Sequence, residues 1–312
     1  MTEDVGALQR ELRRLYSQHE YALALDLLDQ HPDIFSQQSM LYHWRMCLAA
    51  RADEPDRAIQ AFSEALEHGH AYPPALIRDD ADLASLQGLA GFEELAARNE
   101  QRAAEVELRT RPELIVIPPA GSMAGRAPLL LGLHGNSQNA RMAVEDWSPI
   151  IDKGWMLACA QSTQMLTTAA FVWNDLARGT SDVQQLFGTL DVGGAIDPER
   201  VVLGGFSMGG GLAIQMAVTG AVSASGFIVV GPYLSDLALL EPYLDAAAAR
   251  GLRGYIVMGQ LEAPEGQELI RRIPPFLGEH GIPCELDEQP DLAHSFPDDF
   301  DQVLDRALTF LA

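Results

Sequence analysis

Basic residues and cysteines are both scarce in this 312-residue chain. It has 21 Lys and Arg against 44 Asp and Glu, a formal charge of −23. Nucleic-acid binders depend on a concentrated basic face, and the sequence has no such stripe, so this class is excluded. The three cysteines, Cys47, Cys159 and Cys284, are odd in number and widely spaced, which excludes a disulfide framework. We expect buried structural thiols and an acidic surface that maintains solubility.

Long apolar runs and metal-binding motifs are also missing. No run approaches the roughly 18 apolar residues that a membrane-spanning helix needs, so no span is expected. Residues 1–14 are polar and lack the apolar core of a signal peptide, which leads us to expect a cytoplasmic protein. No H-E-x-x-H or C-x-x-C spacing occurs, and we therefore expect neither a metal nor a cofactor.

The first third of the chain has the spacing of amphipathic helices. Apolar residues recur every three or four positions up to about residue 105, Pro55 suits the first turn of a helix, and His68-Gly69 suits its end. Ala24-Leu25 aligns with Ala58-Ile59 at a shift of 34 residues, the period of tetratricopeptide repeats. We predict an all-α helical-hairpin domain over 1–105. It either recruits a protein partner or packs as a stabilising cap.

Beyond residue 105, short apolar runs alternate with amphipathic stretches. This alternation predicts a mostly parallel sheet with helices on both faces over residues 106–312, as a second domain. The predicted strands are Leu114–Ile117, Leu129–Leu133, Trp155–Ala160, Val201–Phe206, Phe227–Val230, Tyr255–Met258 and Ile282–Leu286. The predicted helices are Ala143–Asp152, Ser181–Gly193, Ser207–Thr219, Ser235–Arg250, Glu265–Gly281 and Pro297–Leu311.

A G-x-S-x-G motif lies between one of these strands and the helix that follows it. The motif is Gly205-Phe206-Ser207-Met208-Gly209, and the strand-then-helix context is the one required for the nucleophile elbow of α/β-hydrolases. The flanking glycines permit a tight turn, which presents the serine hydroxyl at a helix N-terminus. We predict Ser207 to be a catalytic nucleophile.

The segment after the second strand supplies an oxyanion hole in this fold, together with the residue after the nucleophile. The strand Leu129–Leu133 ends in His134-Gly135-Asn136-Ser137, so the main-chain N–H groups of Asn136 and Met208 are the predicted donors. We interpret His134 as a structural histidine, because it precedes the nucleophile and this fold places the base last.

The general base and its acid partner follow the nucleophile in the chain. Of the two histidines that do so, His280 sits at a helix end, whereas His294 lies in a loop after the final strand, so His294 is the predicted base. Glu262 follows a strand at the spacing expected of the acid. Glu265 and Asp236 stay open as alternatives.

Several segments together resemble the phospholipase/carboxylesterase family, which includes acyl-protein thioesterases. They are Ile196–Gly210, Leu133-His134-Gly135, Trp173-Asn174-Asp175 and Ala293–Pro297, and the resemblance covers about residues 110–312. It implies hydrolysis of small-molecule carboxylic esters or thioesters at a fairly open site.

The chain also departs from that family. Met208 stands where relatives usually have Gln, Gly259 to Glu265 lacks their Val-Pro, and the helical N-terminal part is not standard. Phe171 and Trp173, with Met165, could line an acyl pocket or simply pack in the core. The predicted function is a serine esterase or thioesterase. A serine peptidase of the same fold and a non-enzymatic binding module built on a hydrolase scaffold are the alternatives.

Overall fold

The computed structural model describes residues 8, 11–12, 14–31, 39–121, 125–190 and 195–312. The chain divides into two compact units. The first comprises Met1–Thr110 with Met165–Ala170, and the second comprises Arg111–Gln164 with Phe171–Ala312. Most of the polar stretch 1–14 lies outside the described residues.

The first unit is built from helices. They are α1 (Tyr21–Asp29), α2 (Ser39–Arg51), α3 (Pro55–Glu67), α4 (Pro74–Arg78), a 3₁₀ helix (Ala81–Leu86) and α5 (Ala90–Arg109). Pro55 occupies the first turn of α3 as predicted, and His68 caps its end, followed by Gly69 at φ +85°. The domain boundary predicted at residue 105 falls within helix α5, and the compact units divide after Thr110.

The core of this unit contains three buried aromatic residues and one buried asparagine whose side-chain amide is hydrogen-bonded. The ring of Phe62 lies 6.4 Å from that of Tyr72 and 5.7 Å from that of Phe92, and all three side chains are fully buried. Asn99, also fully buried, accepts a 2.8 Å hydrogen bond from the Tyr72 N–H and donates one of 2.9 Å to its carbonyl. Because both amide ends are paired, burying Asn99 leaves no unmet hydrogen bond on these atoms.

The second unit contains a seven-stranded sheet. Its strands are β1 (Glu113–Ile117), β2 (Ala127–Leu133), β3 (Met156–Gln161), β6 (Ile196–Phe206), β7 (Gly226–Val230), β8 (Arg253–Gly259) and β9 (Cys284–Gln289). A separate hairpin consists of β4 (Gln164–Thr167) and β5 (Ala170–Val172), of which Met165–Ala170 are grouped with the first unit. The strand order is β1-β3-β2-β6-β7-β8-β9, in which only β1 pairs antiparallel. Each of the seven predicted runs contributes a strand, whereas the β4–β5 hairpin was not predicted.

Helices cover both faces of this sheet. They are α6 (Ala140–Trp147), α7 (Pro149–Asp152), α8 (Leu176–Leu190), α9 (Ser207–Thr219), a 3₁₀ helix (Leu237–Tyr243), α10 (Leu244–Ala249), α11 (Pro264–Gly278) and α12 (Phe300–Leu311). Along β6, Leu203 joins the apolar cluster that includes α9, while its neighbour Val202 joins the cluster that includes α12. Successive side chains of a strand point to opposite faces, so strands buried on both sides must be apolar throughout. The predicted fold class is confirmed.

Of the described helices, none combines the length and the apolar character that crossing a bilayer would require.

Candidate active site

A strained turn joins β6 to α9. Strand β6 ends at Phe206, and Ser207 opens the helix with φ +54°, a left-handed value that non-glycine residues rarely adopt. A Cβ at Gly205 would lie 2.7 Å from the Gly210 Cα, and one at Gly209 would collide with the His134 carbonyl oxygen. Only glycine fits at these two positions, which is why the turn can close so tightly around the serine.

His294 and Glu262 meet across loops that follow neighbouring strands. Glu262 comes three residues after the end of β8, and His294 comes five residues after the end of β9. Nδ1 of His294 lies 3.1 Å from Oε2 of Glu262; the carboxylate side chain is 7% exposed and the imidazole 46%. In the tautomer where Nδ1–H donates to Glu262, Nε2 keeps its lone pair and can accept a proton.

The imidazole also packs against the elbow. The ring of His294 lies 4.8 Å from that of Phe206, the residue just before the serine, at an interplanar angle of 33°. Phe296 lies against the same phenylalanine at 5.2 Å. Within the described ranges the Ser207 hydroxyl makes no hydrogen bond, and such catalytic bonds often shorten only when substrate binds.

Gly231 leaves space for the His294–Glu262 pair, a role that was not predicted from the sequence. Val230 pairs with Phe206 at the end of β7, and Gly231 follows with φ +50°. A Cβ there would lie 2.9 Å from Oε1 of Glu262 and 2.9 Å from Nδ1 of His294. A bare backbone is therefore needed for the two side chains to meet. A glycine directly after an apolar run was the available signal.

The other candidate carboxylates lie elsewhere. Asp236 is exposed and caps the 3₁₀ helix Leu237–Tyr243, where its Oδ1 accepts a 3.0 Å hydrogen bond from the Ala238 N–H. Glu265 is an exposed acid in the first turn of α11. Among residues that the structure describes, Glu262 is the carboxylate that hydrogen-bonds His294.

The loop after β2 is fixed by the side chain of Asn136. Its Oδ1 accepts a 3.0 Å hydrogen bond from the Trp173 N–H, and its Nδ2 donates a 3.0 Å bond to Oδ1 of Asn174. The main-chain N–H groups of Asn136 and Met208 donate to no residue in the described part of the chain. Met208 lies in the first turn of α9, where N–H groups have no intrahelical acceptor. Both N–H groups can therefore bind an external anion.

His134 braces this loop from inside the core. It is 1% exposed, its Nδ1–H donates a 2.7 Å hydrogen bond to the Gly135 carbonyl, and its Nε2 accepts from the Ser162 N–H at 3.3 Å. Burial disfavours the charged imidazolium and lowers the pKa of His134 to about 4. A neutral histidine with both nitrogens engaged serves the loop structurally.

The two aromatic residues predicted to contact substrate differ in their surroundings. Trp173 is fully buried, with its ring 4.8 Å from that of His134 and its Nε1–H donating a 2.7 Å bond to the His134 carbonyl. It therefore supports the loop, and in this conformation it offers no surface to an acyl group. Phe171 is half-buried and pairs through its backbone with Gln138, whereas Met165 belongs to the other compact unit.

Two exposed apolar side chains are adjacent to the candidate triad along the backbone. Tyr233, 51% exposed, donates its N–H to the Ser207 carbonyl at 2.9 Å. Leu261, 64% exposed, directly precedes Glu262. Both side chains therefore place exposed apolar surface close to Ser207 and Glu262 along the chain.

Comparison with known proteins gives one family match and several structural likenesses. Residues 7–107 match the family model described as "A/B hydrolase-like, N-terminal domain". No curated protein matched the chain. The tetratricopeptide-like interpretation of this region stays a prediction.

A crystal structure of an uncharacterized protein from Bacillus cereus ATCC 10987 is similar along nearly the whole chain. The TM-score is 0.56 at 23% identity, covering 98% of this chain and 97% of that one. Esterase PE8 has a TM-score of 0.52 at 14% identity, covering 65% of this chain and 100% of its own. Zea mays acyl-protein thioesterase 2 has a TM-score of 0.49 at 17% identity, covering 64% and 99%. At these identities the first two likenesses establish a shared fold and nothing finer. The chain therefore has the α/β-hydrolase fold, preceded by a helical region that matches the A/B hydrolase-like N-terminal domain.

Proposed function

We propose that the protein is a serine hydrolase that cleaves carboxylic esters or thioesters through an acyl-enzyme on Ser207. The observation that carries this proposal is the His294–Glu262 pair, 3.1 Å apart, packed against the strained elbow that bears Ser207. A nucleophile, a base and an orienting acid are the three roles that acyl transfer needs.

In the proposed reaction His294 Nε2 accepts the proton of the Ser207 hydroxyl as the oxygen attacks the substrate carbonyl. Glu262 holds Nδ1–H and stabilises the imidazolium that forms. The N–H groups of Asn136 and Met208 bind the developing oxyanion, each worth about 10²–10³-fold in rate. His294 then protonates the leaving group, and water attacks the acyl-enzyme by the same route.

The surroundings favour an uncharged or cationic small-molecule substrate with an apolar part. The chain carries a net charge of −23, which repels anionic substrates over long range. Tyr233 and Leu261 supply exposed apolar surface beside the proposed triad. We keep the two-domain organisation, with a helical domain over 1–105 and a catalytic domain over 106–312, as part of this proposal. Binding of a protein partner by the helical domain is likewise a proposal.

A fluorophosphonate probe tests the nucleophile. The wild-type protein should be labelled on Ser207, and Ser207→Ala should not be labelled although it folds normally by circular dichroism. Equal labelling of the two proteins would contradict the assignment, and no labelling of the wild type would favour a non-enzymatic binding module.

A substrate panel tests the reaction class. We expect turnover of p-nitrophenyl esters and acyl thioesters by the wild-type protein, and a loss of several orders of magnitude in kcat for Ser207→Ala. Faster cleavage of peptide amides than of esters would instead identify a peptidase.

A further inference from the structure

The first compact unit contains a cluster of three metal-ligating side chains that the proposed hydrolase mechanism does not use. His43 and Cys47 lie one turn apart on the same face of α2, and Asp80 lies just before the 3₁₀ helix Ala81–Leu86. Their ligand atoms all lie within 4.8 Å of one another. His43 and Cys47 are buried, and Asp80 is partly exposed.

We propose that His43, Cys47 and Asp80 form a structural site for a divalent transition metal, with Zn²⁺ as the expected ion. An imidazole, a thiolate and a carboxylate are all ligands that zinc accepts. The three residues come from two segments 33 positions apart, so a bound ion would tie helix α2 to the segment that enters the 3₁₀ helix.

The three ligand atoms are close enough to share one ion after the His43 imidazole turns about its Cβ–Cγ bond, because Sγ of Cys47 lies almost equally far from Nδ1 (3.7 Å) and Nε2 (3.9 Å). Nε2 of His43 lies 3.4 Å from Oδ2 of Asp80, and Sγ of Cys47 lies 3.7 Å from that oxygen and 3.9 Å from that nitrogen. A tetrahedral zinc with ordinary bond lengths separates its nitrogen and oxygen ligands by about 3.4 Å, and its sulfur from either by about 3.6 Å. Each observed separation is therefore within about 0.3 Å of the ideal.

The surroundings supply a fourth ligand, an orienting contact and a route of entry. The Leu76 carbonyl oxygen, 3.2 Å from Nε2 of His43, or a water can complete the tetrahedron. The second oxygen of Asp80 accepts a 2.9 Å hydrogen bond from the Asp82 N–H, which orients the carboxylate. The Asp80 side chain is 24% exposed, so an ion can reach it from solvent.

The local charge also favours a cation. Asp82 adds a second carboxylate beside the ligand Asp80. Arg51, whose Nε lies 3.7 Å from Oδ1 of Asp82, offsets part of this negative charge. A bound divalent ion displaces the Cys47 thiol proton to solvent and is held by the resulting thiolate.

Cobalt substitution tests the site directly, with the full-length, tag-free protein. Titration with Co²⁺ should develop a thiolate-to-cobalt charge-transfer band that saturates at one ion per chain and is abolished by added Zn²⁺. Cys47→Ser should lose the band, whereas Cys284→Ser, a matched change at a partly buried cysteine of the other unit, should keep it. A wild type without the band, or a band that survives Cys47→Ser, would overturn the proposal.

A second variant covers the case in which Cys47→Ser does not fold. Asp80→Asn keeps the side-chain volume and the oxygen that caps the 3₁₀ helix but removes the ligand charge, so it should fold and bind Co²⁺ at least about tenfold more weakly. Zn²⁺ should raise the melting temperature of the wild type and of Cys284→Ser but not that of Asp80→Asn. An equal rise in the wild type and Asp80→Asn, or no rise in the wild type, would count against the site. These readouts do not depend on hydrolase activity.

Discussion

Replacing Glu262 with glutamine tests the proposed triad most sharply. The carboxylate side chain is only 7% exposed and lies 3.1 Å from Nδ1 of His294, and glutamine preserves its volume. The amide NH₂ can donate to Nδ1, which moves the imidazole proton to Nε2, where it blocks removal of the Ser207 proton. Loss of this orienting charge in a triad costs about 10³–10⁴-fold, or about 4–5.5 kcal/mol of transition-state stabilisation. The free energy of unfolding should fall by less than about 1 kcal/mol, because the partner imidazole is about half exposed to solvent, which screens the ion pair.

The assay is the initial rate of p-nitrophenyl butyrate hydrolysis, normalised to the concentration of folded protein, because fluorophosphonate labelling depends on the same triad. Asp236→Asn and Glu265→Gln serve as matched controls, since both carboxylates are exposed and neither contacts the imidazole. Both controls should stay within about threefold of wild type in kcat/KM. A Glu262→Gln variant within tenfold of wild type, or an Asp236→Asn variant as impaired as Glu262→Gln, would refute the reasoning.

Two further predictions concern Gly231, which leaves space for the His294–Glu262 pair, and the buried His134. Gly231→Ala should lower kcat about 10²-fold by displacing the imidazole. It should also lower the free energy of unfolding by about 1–2 kcal/mol, because residue 231 has a left-handed backbone conformation. Gly251→Ala, at φ +73° with open space where the added Cβ would lie, should show only the stability loss; equal kcat in the two variants would be inconsistent with this role. For His134, the folded-state pKa is depressed to about 4, so the unfolded chain binds the extra proton first and stability falls as pH drops below the unfolded value. Between pH 7.5 and 5 urea unfolding should show a loss of about 2 kcal/mol that is absent from His134→Gln, and parallel pH profiles would disprove the assignment.

The Trp173 result illustrates how a motif can be located without its role being known. Its position between the third predicted strand and the strand before Ser207 was visible in the sequence, where an aromatic residue could either line an acyl pocket or pack in the core. The structure buries the indole fully against His134. Aromatic residues serve cores and pockets equally well, so composition alone does not distinguish the two.

The proposed metal site of His43, Cys47 and Asp80 also depends on contacts that the sequence alone does not reveal. The spacing of His43 and Cys47 on one helical face was available from periodicity. Asp80 comes from a different segment, and nothing in its local sequence connects it to α2. The spacing motifs H-E-x-x-H and C-x-x-C therefore match none of these three residues.

The sequence by itself determined the periodic parts of this protein: the seven strands of the main sheet, the switch from helices to alternating strands and helices, and the elbow around Ser207. These follow from local rules, since hydrophobic period and glycine placement act over a few residues. Only the tertiary structure decided that Glu262, and neither Asp236 nor Glu265, reaches His294, and that Gly231 leaves space for them. Those contacts join loops 32 residues apart in sequence. Their distances depend on how β7, β8 and β9 pair side by side in the sheet, which no local sequence pattern encodes.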